Sequence, residues 1–152
     1  MTEAGGVLEF TTHNKKPSVC NCLNLRRASQ AITHVYDELL KPCGLRVNQF
    51  SLLAHIKGLE PVSVSDLALA MRLDRTTLVR NLRSLEEQGF IEDIAATGAR
   101  SRQLKLTEKG LKLTLEAEAV WSEAQNSLVN YLGKEEVATL TELLSKIEAL
   151  VP

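Results

Sequence analysis

Aromatic residues are scarce in this chain of 152 residues, which has one Trp, two Tyr and three Phe. Proteins that hold single-stranded nucleic acid stack its bases on aromatic side chains, so this low content argues against that class of binder. No apolar run approaches the roughly 20 residues that a membrane-spanning helix needs. The first residues also lack a basic start followed by an apolar stretch, so we expect no secretory signal. These absences predict a cytoplasmic protein without a membrane partner.

Patterns that mark metal sites and enzymes are missing as well. The three Cys and three His show no zinc-type spacing, so we predict no metal and no cofactor. The sequence has no glycine-rich phosphate loop, no nucleophile elbow and no H-E-x-x-H pair, which argues against an enzyme. In a reducing compartment the three Cys are expected to be free thiols.

No excess of charge of either sign exists over the whole chain, because the net charge is −1. The distribution is nevertheless uneven. Residues 72–112 hold nine Lys or Arg against six Asp or Glu, whereas residues 113–152 hold two against seven. This pattern suits a protein that presents one basic region to a polyanion and keeps its acidic end away. The length and the 44% apolar content predict one globular domain with a real core.

The middle of the chain has the signals of two short helices joined by a tight turn. Ser65 and Asp66 are predicted to cap the first helix, and Asp74 the second. Gly89 is expected to end the second helix in a left-handed conformation. This helix is predicted to bury an apolar stripe with a period of 3.6 residues, formed by Leu78, Val79, Leu82 and Leu85.

A hairpin is predicted directly after the second helix, with strands at 90–94 and 103–106. The loop between the strands is small, flexible and basic, and it contains Arg100 and Arg102. A helix pair followed by such a hairpin is typical of a winged helix-turn-helix. Its second helix enters the major groove of DNA, while the wing reaches a neighbouring minor groove or phosphates. The alternative is a winged-helix module that binds another protein and not DNA.

Further helices are predicted on both sides of this winged core. Residues 1–16 have no period and are expected to form a flexible arm. A helix over 17–41 would have Pro17 in its first turn, and another helix, capped by Asn48, would precede the winged element. Thr107 is predicted to cap a long helix that ends at Gly133.

The last helix has apolar residues at a 3-4-3-4 spacing, namely Val137, Leu140, Leu144, Ile147 and Val151. Such a seam needs a partner helix. We therefore predict one domain over residues 1–152, with a DNA-binding core at 45–106 and dimerisation helices at 17–41 and 107–152. The alternative is that these helices pack back on their own subunit.

Five segments together resemble the MarR family of bacterial transcriptional regulators. They are LRVNQFSLL (45–53), VSDLA (64–68), LDRTTLVR (73–80), LEEQGFI (85–91) and LKLTEKG (104–110). The resemblance runs from about residue 20 to the end. It implies a mainly α fold, in which dimerisation helices at both ends flank a winged helix-turn-helix core with a two-stranded wing. It also implies a homodimer that binds a pseudopalindromic operator in double-stranded DNA, usually represses, and is released by a small ligand or an oxidant.

Seven residues of the core are predicted to contact DNA: Ser65, Arg75, Thr76, Thr77, Arg80, Arg100 and Arg102. Thr76, Thr77 and Arg80 lie near the start of the recognition helix, where side chains meet base edges and an arginine can bind guanine bidentately. Arg75 and Ser65 are predicted to hold phosphates.

The wing departs from the family pattern at one place. Family wings often carry an acidic residue and an arginine before the position of Arg100, but this chain has Gly98 and Ala99 there. The carboxylate that usually braces the wing is therefore expected to be missing.

Cys22 is a candidate redox site, with Arg26 and Tyr36 as its candidate partners. A helix N-terminus favours a thiolate, and Arg26 lies one turn beyond Cys22. The segment also resembles the OhrR branch, which senses organic peroxides through a cysteine at this position, bonded to a tyrosine that matches Tyr36. The branch's other tyrosines are replaced here by Arg26 and Val47. Alternatively, Cys22 is a small buried residue of the dimer interface. Cys20 is predicted to point to another helix face, which argues against a mutual disulfide.

Overall fold

The computed structural model describes residues 8–152, so the first seven residues of the predicted arm lie outside the described residues. The described chain is mainly helical with one two-stranded sheet, as the sequence predicted. Its elements in order are α1 (Asn21–Leu40), a short 3-10 turn (Lys41–Cys43), α2 (Val47–Leu59), α3 (Val64–Met71), α4 (Arg75–Glu87), β1 (Ile91–Asp93), β2 (Leu104–Leu106), α5 (Glu108–Leu132) and α6 (Lys134–Glu148).

Helix α1 starts at Asn21, so the prediction that Pro17 lies in its first turn is wrong. Two hydrogen bonds hold Ser18 outside the helix: its N–H donates to Asn24 Oδ1 at 2.9 Å, and Asn24 Nδ2 donates to its carbonyl oxygen at 2.8 Å. Cys20 consequently becomes the N-cap in an extended conformation.

The caps of helices α2 and α3 both lie two residues before the predicted ones. Arg46 and not Asn48 caps α2, and its N–H donates to Gln49 Oε1 at 3.0 Å. Ser63 and not Ser65 caps α3, because its Oγ accepts from the Asp66 N–H at 3.1 Å. At α3 the Ser63 side chain satisfies a backbone N–H group of the first turn, whereas at α2 the Gln49 side chain accepts from the cap residue's own N–H, so both helices form about half a turn earlier than predicted.

The other predicted helix ends are confirmed. Asp74 caps α4 and accepts from the Thr77 N–H at 2.9 Å. Thr107 caps α5, and its Oγ1 accepts from the Gly110 N–H at 3.0 Å. Gly89, with φ +77°, follows α4 in the left-handed conformation that glycine adopts most easily.

Helix α4 packs on α3 and β1 through one apolar face. The fully buried residues of that face are Leu78, Leu82 and Leu85. The prediction that Val79 is also buried is wrong, because its side chain is 44% exposed. Val79 follows Leu78 by one residue, which turns it about 100° away from the core on an α-helix.

The wing is a short antiparallel hairpin in which Ile91 pairs with Leu106 and Asp93 with Leu104. Both strands are three residues long and therefore shorter than the predicted 90–94 and 103–106. A third backbone segment borders the sheet, because the Leu104 N–H donates to the Val62 carbonyl oxygen at 2.8 Å and the Val62 N–H donates to the Leu104 carbonyl oxygen at 3.1 Å. The base of the wing is thus fixed to the loop between α2 and α3.

Helix α5 joins the winged core to the rest of the chain. It packs on α1, α2 and β2. Gly110 in its first turn lies so close to the Phe90 carbonyl that a Cβ there would collide with that backbone oxygen. The start of α5 is therefore held directly against the start of the wing.

Helix α6 has no buried residue, although its apolar side chains share one face. Four of them are exposed by more than 40%: Leu140, Leu143, Leu144 and Ile147. Near the end of the helix, Glu148 forms an ion pair with Arg72 in the turn between α3 and α4. In the described part of the predicted arm, Leu8 N–H donates to Ser127 Oγ at 3.2 Å and Phe10 packs edge-to-face on Tyr131.

Candidate nucleic-acid interface

The outward face of α4 is polar and basic. Thr76 and Arg80 are exposed and lie one turn apart, on the side opposite the buried leucines. Arg83 continues this face and pairs with Glu87, with 3.3 Å between Nε and Oε1. The first two turns of this face therefore present a hydroxyl and a guanidinium group, and the acidic residue Glu87 lies two turns beyond Arg80.

Thr77 has a structural role at the start of α4, where it binds the capping residue Asp74. Its hydroxyl donates to Asp74 Oδ2 at 2.6 Å, in addition to the bond between its N–H and Oδ1. These two bonds lower the pKa of the Asp74 carboxyl below its usual value of 3.8. The hydroxyl hydrogen of Thr77 is thus used within the protein, whereas Thr76 beside it is exposed.

The two predicted phosphate-binding residues lie together. Arg75 Nη1 donates to Ser65 Oγ at 3.1 Å, across the turn between α3 and α4. Both side chains are exposed. The bond fixes the guanidinium group beside the first turn of α3, where its remaining N–H groups face solvent.

Arg100 and Arg102 occupy different places in the wing. Arg100 lies at the exposed tip, next to a turn in which Gly98 has a φ of +81°. Arg102 lies at the base, where it forms ion pairs with Glu86 at the end of α4 and with Asp93 of β1. Arg102 therefore connects the wing to α4, and Arg100 is the wing arginine that remains exposed.

Asp93 supplies the wing brace that the sequence was expected to lack. Its Oδ1 accepts from the N–H groups of Ala95 and Gln103, both at 2.9 Å, and its Oδ2 accepts from Arg102 Nε at 3.2 Å. The two backbone bonds hold the pKa of the Asp93 carboxyl below its usual value. Asp93 was not predicted from the sequence, because the family pattern places the bracing carboxylate at the wing tip, beside Arg100.

The three redox or ligand candidates are not brought together within one chain. Cys22 and Arg26 are exposed on α1, whereas Tyr36 is buried and donates its hydroxyl hydrogen to Gln125 Oε1. Burial also raises the pKa of Tyr36. Fourteen residues of helix place Tyr36 about 21 Å from Cys22. In the single chain Cys22 is exposed. Cys20 lies outside the helix as its N-cap, and both residues are free thiols, so nothing contradicts the prediction against a mutual disulfide.

An open groove of about 350 Å³ lies between α2 and α5. Its lining includes Phe50 and His55 from α2, and Glu118 and Trp121 from α5. Lys57 Nζ lies 2.5 Å from Glu118 Oε1, so the one carboxylate of the lining is paired. Arg26 and Tyr36, the candidate partners of Cys22, do not line this groove.

Within residues 8–152, no cluster of three or more His, Cys, Asp or Glu side chains is arranged to hold a metal ion. Nor does that part of the chain contain a helix with the length and apolarity needed to cross a bilayer.

Comparison with known proteins agrees with this geometry. Residues 44–101 match the model of the MarR family. The transcriptional regulator MosR of M. tuberculosis, solved in complex with DNA, is 32% identical over 88% of this chain and 99% of its own, with a TM-score of 0.73. At lower identity, which shows the fold alone, the S. aureus MepR–DNA complex matches at 21% over 88% of this chain and 100% of its own, with a TM-score of 0.78. A mutant of E. coli MarR complexed with operator DNA matches at 24% over 86% and 93%, with a TM-score of 0.74.

The family-model match covers α2, α3, α4 and β1, and the 32% identity extends over almost the whole of the MosR chain. Both agree with the exposed basic face of α4 and with the two-stranded wing. The chain belongs to the MarR family of winged-helix transcriptional regulators, which bind DNA and are not enzymes.

Proposed function

We propose that the protein is a homodimeric repressor whose two copies place α4 in successive major grooves of a pseudopalindromic operator. The observation that carries this proposal is the outward face of α4, where Thr76, Arg80 and Arg83 point away from the core. A two-fold dimer matches two half-sites about one helical turn apart. With membership of a DNA-binding family established, the alternative of a winged-helix module that does not bind DNA has no support.

The site residues take distinct roles in this proposal. Thr76 and Arg80 would read base edges, since they lie exposed in the first two turns of α4. Ser65 and Arg75 would hold a phosphate, and Arg100 at the wing tip would reach a neighbouring groove or phosphate. Two of the predicted DNA contacts have structural roles in this proposal, because their side chains already have partners within the chain: Thr77 donates to the capping residue Asp74, and Arg102 braces the wing.

Dimerisation through residues 17–41 and 107–152 is supported by the exposed apolar face of α6. No side chain of α6 is buried in the single chain. A row of leucines spaced like a coiled-coil seam is stable in water when a second helix covers it. A second copy of the chain would supply that helix and would set the distance between the two reading helices.

DNA binding tests the proposal most directly. We expect affinity for a duplex selected from random sequence, or taken from upstream of the protein's own gene, to fall steeply as salt rises. Arg80→Ala is expected to weaken specific binding by about 10-fold, the lower range for one arginine–guanine pair. Lys41→Ala removes one exposed positive charge at the end of α1 and serves as the control. Equal affinities of wild type and Arg80→Ala at matched salt would remove Arg80 from the interface.

Release of DNA by a small ligand or an oxidant completes the proposal. The groove between α2 and α5 supports a ligand, because it combines aromatic and polar side chains at the junction of the core and α5. The exposure of Cys22 supports an oxidant of the organic peroxide class as the second candidate.

Mild hydroperoxide treatment tests the second candidate. Wild type is expected to lose operator affinity and the Cys22 thiol together, and Cys22→Ser is expected to keep its affinity. Cys43→Ser, which changes a half-buried thiol next to the core, is the control and should respond like wild type. Unchanged DNA binding in wild type with Cys22 still free would leave ligand release as the surviving form of the proposal.

A further inference from the structure

One apolar side chain lies on the exposed side of α4. Val79 is 44% exposed, and the side chains one turn away along its row are Arg75 and Arg83, with Thr76 beside it. A β-branched residue is a poorer helix former than Ala or Lys, so helix stability does not account for a Val at an exposed position. Nor does the core need it, because the buried leucines already fill the inward face of α4.

The major groove offers one apolar group to such a side chain. Each base pair presents donors and acceptors there, and thymine in addition presents its C5-methyl group. A valine set against a donor or an acceptor would leave that group without a hydrogen bond, which is costly once water is removed. Against a thymine methyl group, by contrast, Val79 would bury apolar surface on both sides.

We propose that Val79 determines specificity by packing against the C5-methyl group of one thymine in each half-site. This inference rests on the proposed function, because it requires α4 to enter the major groove. Arg75 and Arg83, on either side of Val79 in the same row, would hold the helix close to the duplex. The position therefore selects T·A by shape and apolarity, while Arg80 selects by hydrogen bonding.

The test uses deoxyuridine, which lacks only the methyl group of thymine. In the tightest duplex selected by the wild-type dimer, each thymine is replaced in turn, and Kd is measured at matched salt for wild type and Val79→Ala. We expect one symmetric pair of replacements to weaken wild-type binding by about 15-fold, since each of the two buried methyl groups contributes about fourfold. The same replacements should leave the affinity of Val79→Ala unchanged. Leu69→Ala, which trims a side chain 77% exposed on α3, is the control and should respond to deoxyuridine as wild type does.

The outcomes separate this inference from the proposed function. If wild type shows no sequence-specific, salt-dependent binding, both fail. If it binds specifically but every deoxyuridine duplex changes the affinities of wild type and Val79→Ala by the same factor, the role of Val79 is overturned and the function stands. Circular dichroism melting of Val79→Ala at the wild-type temperature would show that its altered readout is not a folding defect.

Discussion

Gly110 lies where the neighbouring backbone leaves no room for a Cβ atom. The residue lies in the first turn of α5, and a Cβ at this position would meet the carbonyl oxygen of Phe90. Thr107 Oγ1 accepts from the Gly110 N–H and donates to the Gly89 carbonyl oxygen at 2.6 Å, so the backbone on both sides is fixed. Neither the helix nor the wing can shift to make room without breaking these bonds.

We therefore expect Gly110→Ala to lower the free energy of unfolding by about 1–3 kcal/mol, the usual cost of overpacking. Chemical denaturation measures this change. Gly58→Ala is the matched control, because Gly58 lies within α2 with no atom near an added Cβ and without a positive φ. There the same substitution should be neutral or stabilise the protein by up to about 1 kcal/mol, through helix propensity. Equal effects at both glycines would show that the contact with Phe90 is loose.

At the scale of the element, the carboxylate of Asp93 braces the loop of the wing. Asp93 accepts hydrogen bonds from two backbone N–H groups across the loop and from Arg102, which in turn contacts Glu86 of α4. The folded-state pKa of Asp93 is lowered, so its contribution is fully present above the unfolded pKa of about 4 and is lost as the pH falls through the lower folded value.

The substitution Asp93→Asn is expected to destabilise the wing above about pH 5, where the wild-type carboxylate is charged. The difference in melting temperature between wild type and variant should shrink as the pH falls below about 4, because protonation then removes the same interaction from wild type. The control is Glu92→Gln, which removes an exposed carboxylate one residue away on β1. A difference that stays constant from pH 7 down to pH 3 would contradict this role for the charged form.

Structural features set by residues within about four positions of one another could be predicted from the sequence. Features set by contacts between distant segments could not. Asp74 and Thr107 were predicted as caps because each side chain bonds an amide three residues ahead. The start of α3 was misplaced because Ser63 and Ser65 both carry cap chemistry, and only packing decides between them. The role of Asp93 depends on amides and an arginine brought together by the hairpin register, which spacing alone does not contain.

Within the recognition helix, periodicity predicted the buried leucines but not the limits of the buried face. An apolar residue next to Leu78 fits the stripe in sequence, yet the core covers only a narrow part of the helix. Predicting the exposure of Val79 would have required the positions of α3 and β1, which are set by tertiary packing. Val79, whose burial was predicted wrongly, is therefore the residue for which we infer a thymine contact.

At the scale of the whole molecule, the single chain leaves too much apolar surface exposed at its C-terminal end. The outward face of α6 is covered by nothing in the described chain, and α6 is tied back to the winged core by the ion pair between Glu148 and Arg72. A second copy that covers α6 would therefore also act on the turn that precedes the recognition helix.

We expect the wild type to be a dimer by light scattering and the double variant Leu144→Glu/Ile147→Glu to be a monomer, because two buried charges without partners would oppose association. Loss of the second half-site should weaken operator binding by about 100-fold or more, the lower range for avidity. Ala138→Glu introduces a carboxylate on the opposite face of α6 and should remain dimeric. A monomeric wild type, or a double variant that stays dimeric with full operator affinity, would contradict dimerisation through α6.

The close approach of Gly110 to Phe90 leaves no hinge between the wing and α5. With 25 residues, α5 is about 37 Å long, so a tilt of about 5° at one end moves the other by about 3 Å. That displacement is close to the rise of about 3.4 Å between neighbouring base pairs. A small change in the angle between two subunits would tilt α5. The tilt would then displace the wing by about one base-pair step along the duplex.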